Sequence, residues 1–375
     1  MKVLILSTGT GEGHNSAARA MKEQFDKNQI PCVMEDALNF ASDRAARYGR
    51  KVYIWSTVKA KRVFAGAYRA GRVISSSRHK SPVYYANALY AEKLFHYIEE
   101  NGFDTILMPH LFPAEAVTYM MKKYPLKASS YFIATDYTCI PFTEETEMDR
   151  FFIPHEDLIP EFVKRGIPKE KLVPLGIPVS DRFRELPARE QCRKRLGIEQ
   201  DKKCILVMTG SMGYGHVESM ADKLVQQTGE GTDLYIMGGT NEKLKRNLRE
   251  KYGAVDRVKV LDFTNEAHIY MAAANVLFTK PGGLTSTEAA AAGVPLVHTH
   301  PIPGCEERNV AFFTERGMSV SHKREDEVVR RGLELLEDAE LQTQMRECQK
   351  RYGKPDAAGD IYEYIVSRGR DKNSL

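Results

Sequence analysis

The 375-residue chain has one tryptophan, Trp55, and six cysteines, at positions 32, 139, 192, 204, 305 and 348. None of the cysteines stands in C-x-x-C spacing, which argues against a zinc site and against a dithiol redox motif; lone thiols suit a reducing compartment. No apolar run reaches the roughly 18 residues that a membrane-crossing helix requires. The opening run Val3–Leu6 falls short of the about 7–15 apolar residues of a secretory leader, so a cytoplasmic protein is expected. No G-x-x-x-x-G-K-[ST] phosphate loop is present. Nor is there a D-x-D, the acid pair that commonly carries a metal-bound diphosphate, and no metal site is expected. Between Arg44 and Ala91 there is no aspartate or glutamate at all.

What the chain does have is an ordinary globular composition, 42% hydrophobic and 28% charged, which excludes a disordered tail or a small disulfide scaffold. At about 150 residues per domain its length implies two domains. The net charge of +4 conceals an asymmetry. The acid-free stretch holds eleven basic residues, leaving 43 of the 54 lysines and arginines against all 50 acidic residues elsewhere. Trp55, Tyr84, Tyr85 and Tyr90 are among the aromatics interleaved with Lys59, Lys61, Arg62, Arg69 and Arg72. Cations with rings between them fit an anionic membrane surface. A nucleic-acid surface, or a solvated face with its rings in the core, has the same composition; the membrane reading is preferred and no nucleic-acid partner is expected.

Two α/β patterns run along the chain. Apolar runs of strand length at Lys2–Ser7, Ile30–Asp36, Thr105–Met108 and Ser130–Ala134 alternate with helical stretches. The alternation restarts at Cys204–Thr209 and continues through Asp233–Met237, Val258–Leu261, Val276–Thr279 and Pro295–His298. Such alternation predicts mainly parallel sheets. Late helices are expected over Glu325–Gln349 and Ala357–Arg368. Val173-Pro-Leu-Gly-Ile-Pro-Val179 reads as a stiff connector, with the domain boundary near 176–195. The expected architecture is two Rossmann-like domains facing a cleft, over residues 1–176 and 190–350, with a last helix over 355–369 crossing back onto the first.

Three Gly-rich segments open helices, where backbone amides and the helix dipole favour anions. The first, Ser7 to Ser16, breaks the dinucleotide fingerprint because His14 stands where the third glycine belongs, although Glu35 and Asp36 end the second strand. This disfavours an NAD-dependent oxidoreductase. His14 is a candidate general base for a hydroxyl, kept neutral by the dipole, as against a polar residue without chemistry near the helix start. The second segment, Gly210–His216, offers Gly210, Ser211 and Gly213 to a phosphate, or is a turn needed only for backbone geometry. The third, Thr279–Ala289, offers Gly283, Thr285, Ser286 and Thr287 to a diphosphate. Glu288, read as lying in the first helical turn, is either a ribose acceptor or a capping acid. Asp136 after the fourth strand is either an acid beside the base or a turn residue.

Gly11-Glu-Gly-His-Asn-Ser-Ala-Ala-Arg19, Thr135-Asp136-Tyr137, Leu175-Gly-Ile-Pro-Val179, Gly210–Gly215 and Lys280–Gly293 together resemble the glycosyltransferases that make glycosyl-diacylglycerols. These are the monogalactosyldiacylglycerol synthases and processive diacylglycerol glucosyltransferases, relatives of MurG. The resemblance implies a GT-B fold, a UDP-sugar donor in the C-terminal domain, and a lipid acceptor, diacylglycerol above all, at the N-terminal domain. It implies peripheral attachment to the inner face of the cell membrane and no cofactor beyond the donor. It makes His14 the acceptor-side catalytic residue with Asp136 in support and Gly13 beside the acceptor. Glu288 would hold the ribose, the backbone at Phe263 the uracil, and Glu306 and Asn309 the sugar. Cys305 stands where the family has glutamine, and Glu12 where many relatives have glycine. A thiol is a poor stand-in for an amide, so the sugar is left open. The alternatives are a MurG-type N-acetylglucosaminyl transfer to another lipid and a non-catalytic nucleotide-sugar sensor that docks on membranes.

Overall fold

The computed structural model describes residues 1–9, 12–41, 80–210 and 217–372. They fall into two compact units. The first is Met1–Asp181 with Pro303–Cys305 and Lys354–Leu375; the second is Arg182–Ile302 with Glu306–Gly353.

The first unit is a six-stranded, all-parallel sheet of β1 (Val3–Ser7), β2 (Cys32–Asp36), β3 (Thr105–Met108), β4 (Ser129–Ile133), β5 (Arg150–Phe152) and β6 (Leu172–Val173), in the order β2-β1-β3-β4-β5-β6. Its helices include α1 (Glu12–Lys27), α2 (Pro82–Ala88), α3 (Ala91–Asn101), α4 (Leu111–Lys123) and α5 (Ile159–Lys164). β1, β3 and β4 are buried along their whole length, which is why they read as continuous apolar runs rather than alternating ones. β5 and the edge strand β6 are three and two residues long and carry no such signal. Val3, Ile5, Met21, Phe25, Leu107, Ile133 and Phe152 form a core that the C-terminal helix, Ala357–Lys372, closes with Ile361 and Ile365. Gly176, in the Leu175–Val179 motif, has φ +106°, and a Cβ on it would lie 2.5 Å from Lys354 Cβ and 2.8 Å from Ala357 Cβ. The motif's glycine therefore lets the start of that helix press against the chain.

The second unit repeats the plan. β7 (Lys203–Met208), β8 (Thr232–Met237), β9 (Val258–Leu261), β10 (Val276–Thr279), β11 (Leu296–His298) and β12 (Val320–Ser321) form a parallel sheet in the order β12-β11-β10-β7-β8-β9. Its helices are α6 (Arg189–Leu196), α7 (Val217–Gln227), α8 (Glu242–Tyr252), α9 (Ala267–Ala273), α10 (Gly283–Ala291), α11 (Cys305–Glu315), α12 (Glu325–Glu337) and α13 (Ala339–Tyr352). The single helix expected over Glu325–Gln349 is two. Asp338 leaves the helical region (φ −100°, ψ 97°) and its carboxylate accepts the Leu341 amide at 2.9 Å, so an N-cap starts a new helix inside a continuous helical pattern.

Parallel α/β sheets bind ligands beyond the strand C-termini where the strand order reverses. In the first unit that point lies between β1 and β3, and in the second between β7 and β10.

Candidate active site

α1 begins at Glu12, three residues earlier than the sequence pattern suggests, so His14 is the third residue of the helix. The turn before it is tied down at both ends. The Gly9 amide donates to Asp36 Oδ2 at 3.0 Å, and Ser7 Oγ donates to Asn15 Oδ1 at 2.6 Å. Asp36 is thus occupied with the β1–α1 turn, and it also caps Leu38. Glu12 is exposed and pairs with Arg19.

His14 lies at the reversal point of the first sheet. Its Nδ1 is 2.7 Å from the Pro109 carbonyl oxygen, just past β3, and 2.9 Å from Thr135 Oγ1, just past β4. A carbonyl has no proton to give, so this bond requires the proton on Nδ1, and Nε2 is left with its lone pair. Burial pushes the His14 pKa below the ordinary histidine value; the negative charge of Asp136 and the Pro109 carbonyl pull part of the way back. The His110 ring stands edge-on to that of His14, centroids 4.6 Å apart. His110 accepts the Phe112 amide at Nδ1 (3.1 Å), and burial together with His14 holds its pKa well below the usual range. A small cavity gathers His14, Pro109, Thr135, Asp136, Thr138 and Phe162. Gly13 is the partly exposed neighbour of His14 in the first helical turn.

In the second unit, α10 begins at Gly283, so Glu288 lies in the second turn rather than the first, and the capping-acid reading falls. Two of the three hydroxyls expected to face a diphosphate are turned inward. Ser286 Oγ is 2.9 Å from Nε2 of the buried His298, and Thr287 Oγ1 donates to the Gly283 carbonyl at 2.7 Å. Thr285 and Glu288 stay partly exposed, one turn apart on the same helix face. Glu306 and Asn309 are buried and hold the loop before α10. Glu306 accepts from Lys280 Nζ at 2.7 Å and from the Ile302 amide at 2.7 Å, and Asn309 donates to the Pro281 carbonyl at 2.9 Å. Both side chains, which the family resemblance assigns to the sugar, thus also shape this loop.

Lys280 opens one of the family motifs but has no role assigned from it, because the sequence does not show which groups its side chain meets. It runs beneath Gly210, at the β7/β10 reversal point, where a Cβ on Gly210 (φ +73°) would sit 2.8 Å from Lys280 Cε. The parts played by Pro109, by Thr135 of the Thr135–Tyr137 motif and by His298 are likewise hidden, since each acts through a partner brought near only by the fold. Phe263, in the loop after β9, is 74% exposed. Ser211, Gly213, Trp55, Lys59, Lys61, Arg62, Arg69 and Arg72 lie outside the described residues. Of the aromatics in the cationic stretch, Tyr84 and Tyr90 are core residues, whereas Tyr85 and the neighbouring Leu89 are 59% and 85% exposed. Among the described residues no helix is long and apolar enough to cross a membrane, and no group of three or more His, Cys, Asp or Glu could hold a metal ion.

Residues 14–179 match the family model described as monogalactosyldiacylglycerol (MGDG) synthase, and residues 189–352 that of glycosyl transferases group 1. A processive diacylglycerol beta-glucosyltransferase of Bacillus mycoides (strain KBAB4) is 26% identical over 369 residues, covering 98% of this chain and 93% of its own. The chain belongs to the MurG-like GT-B glycosyltransferases, with the monogalactosyldiacylglycerol synthases and processive diacylglycerol glucosyltransferases. Two solved structures share the fold of this glycosyltransferase. The crystal structure of Acinetobacter baumannii MurG has a TM-score of 0.64 at 13% identity, covering 98% of this chain and 99% of that one. UDP-GlcNAc 2-epimerase from Neisseria meningitidis, bound to UDP-GlcNAc, has a TM-score of 0.62 at 15% identity, covering 98% and 100%. Membership in this family removes the oxidoreductase reading.

Proposed function

We propose that this glycosyltransferase moves a hexose from a UDP-sugar to the hydroxyl of a membrane lipid, diacylglycerol first of all, by a single inverting displacement without a metal ion or further cofactor. The observation that carries the reading is the protonation pattern of His14: with Nδ1–H committed to Pro109, Nε2 is a neutral base at the sheet's ligand-binding edge. The lipid oxygen attacks the anomeric carbon. As that C–O bond forms, the bond to the UDP oxygen breaks and the hydroxyl proton passes to Nε2. Asp136 steadies the imidazolium so formed.

On the donor side, the amides opening α10 at Gly283, together with Gly210 and Lys280, meet the diphosphate charge. Thr285 and Glu288, on the open face of α10, take the phosphate and ribose hydroxyls. The backbone at Phe263 takes the uracil, and the family motif adds Ser211 and Gly213. The Neisseria protein's complex with UDP-GlcNAc supports a nucleotide-sugar ligand on this fold.

For the acceptor side, α2 carries no charged residue, and its outer face presents Pro82, Tyr85 and Ala86, continued by Leu89. Lying at the C-terminal end of the acid-free cationic stretch, this face suits an anionic bilayer, rings and Leu89 at headgroup level and cations on phosphates.

The test is UDP release from UDP-glucose, UDP-galactose and UDP-N-acetylglucosamine, with vesicles of diacylglycerol and a varied fraction of phosphatidylglycerol, with and without EDTA. The proposal expects lipid-dependent release from a hexose donor, indifference to EDTA, a rise with anionic fraction, and a loss of about 10²–10⁴-fold in His14→Ala. Release that ignores the lipid, or full activity in His14→Ala, would refute it.

A further inference from the structure

A cavity of about 700 Å³ in the second unit belongs to neither half of the proposed reaction. It runs along the free outer edge of β12, between α11 and α13. α11 turns Glu306 and Asn309 toward the loop before α10, and its other face, through Val310 and Thr314, lines this cavity. The cavity and the proposed donor site thus lie on different sides of one helix.

Its chemistry is graded. Val310, Val320, Leu341 and Met345 make the apolar wall. At the end of β12 the wall gives way to His322, Lys323 and Arg331. Arg331 donates through Nη1 to the Ser321 carbonyl at 3.0 Å, which fixes the guanidinium beside the strand end and uses one of its five donors. Among the described residues neither Arg331 nor Lys323 makes an ion pair. The carboxylates on the neighbouring turn of α12 are engaged elsewhere: Glu325 and Asp326 with Lys223, Glu327 with Arg330. Glu307 is the one acidic side chain in the lining. A space of this size that joins an apolar wall to convergent polar and charged groups has the make-up of a small-molecule site.

We infer that this cavity binds a single-chain anionic amphiphile, its chain along Val310, Val320, Leu341 and Met345 and its carboxylate or phosphate head between Lys323 and Arg331. Charge complementarity selects the head: a fixed guanidinium and an ammonium without a carboxylate partner favour an anion over a neutral polar group. The length of apolar wall selects a chain over a bare anion.

Isothermal titration of the full chain with dodecyl phosphate tests this. One saturable site is expected, weakened about tenfold or more in the double variant Lys323→Gln/Arg331→Gln, the effect of losing charge-assisted contacts. Val310→Trp, which fills the wall without touching the cations, is expected to abolish it. Dodecanol and inorganic phosphate each carry half of the recognition and are expected to bind about tenfold more weakly or worse. Vesicles containing phosphatidylglycerol separate the two sources of such a ligand. If the occupant is a bilayer lipid, vesicle binding falls with the same variants; if it is a free amphiphile, only dodecyl phosphate binding falls. Because removing Arg331 frees the Ser321 carbonyl, melting curves of each variant accompany the titrations. Equal affinity for dodecyl phosphate and dodecanol, or undiminished binding by both a folded double variant and a folded Val310→Trp, would overturn the inference.

Discussion

At the scale of single residues, three histidines owe their roles to their surroundings. His14 is fixed as a neutral Nδ1–H imidazole by a carbonyl 95 positions away in sequence. His110 spends its Nδ1 lone pair on a helix start. His298, wholly buried with its pKa pushed down to about 3, stays neutral and bridges Ser286 of α10 and Ser319 before β12. The sequence exposes His14 as a candidate, because it interrupts a glycine pattern at a strand–helix junction. It does not expose the proton's position, because Pro109 and Thr135 come from other strands. Gly210 shows the same division. Its place in a Gly-rich turn is visible in the sequence, but the reason for it, the Lys280 side chain passing beneath, is not. Gly210→Ala combines a strained φ with a collision at Lys280 Cε. It is expected to raise KM for the UDP-sugar several-fold while leaving the lipid KM near wild type, as initial-rate kinetics over both substrates would register.

At the scale of elements, long buried strands were plainly legible, and errors gathered at helix starts and at the shortest pieces. The sequence pattern starts helices at Asn15 and Ser286, but α1 and α10 begin three residues earlier, at Glu12 and Gly283, because glycines and hydroxyl residues read as loop yet enter the first turn when tertiary bonds hold them, as Ser7–Asn15 and Ser286–His298 do. β12 is two residues long and defined by pairing alone. Packing between elements depends on features equally hidden. Gly332 in α12 faces the fully buried Phe278 of β10, and a Cβ there would come within 2.1 Å of the ring. Gly332→Ala gains up to about 1 kcal/mol of helix propensity. It is nonetheless expected to lose about 1–3 kcal/mol net, the range for overpacked cores. Urea unfolding of the two proteins decides; a variant as stable as wild type would mean that the ring has room to move.

At the scale of the molecule, the chain builds the same parallel sheet plan twice, and its charge asymmetry gathers in one stretch of the first unit. At the end of that stretch stands a buried acidic cluster no pattern announces. Glu115 is fully buried, takes a 2.6 Å bond from Asn87, and has its pKa pushed up to about 8, chiefly by burial, against a reference of 4.5. A carboxyl whose folded pKa is raised contributes stability below its unfolded pKa and loses it as pH climbs through the folded value. Glu115→Gln should therefore gain on wild type in melting temperature from about pH 4.5 to about pH 8 and level off beyond; a difference independent of pH would contradict the burial account. The reaction has the opposite slope, because its base must be unprotonated. The most direct test of the central claim is the pH dependence of kcat for UDP release with diacylglycerol vesicles, in wild type and Asp136→Asn. The account predicts an acid limb below the ordinary histidine value of 6.5 in wild type, moved to still lower pH when the charge of Asp136 is removed. An acid limb above that value, or one that Asp136→Asn leaves in place or moves upward, would contradict His14 as the base.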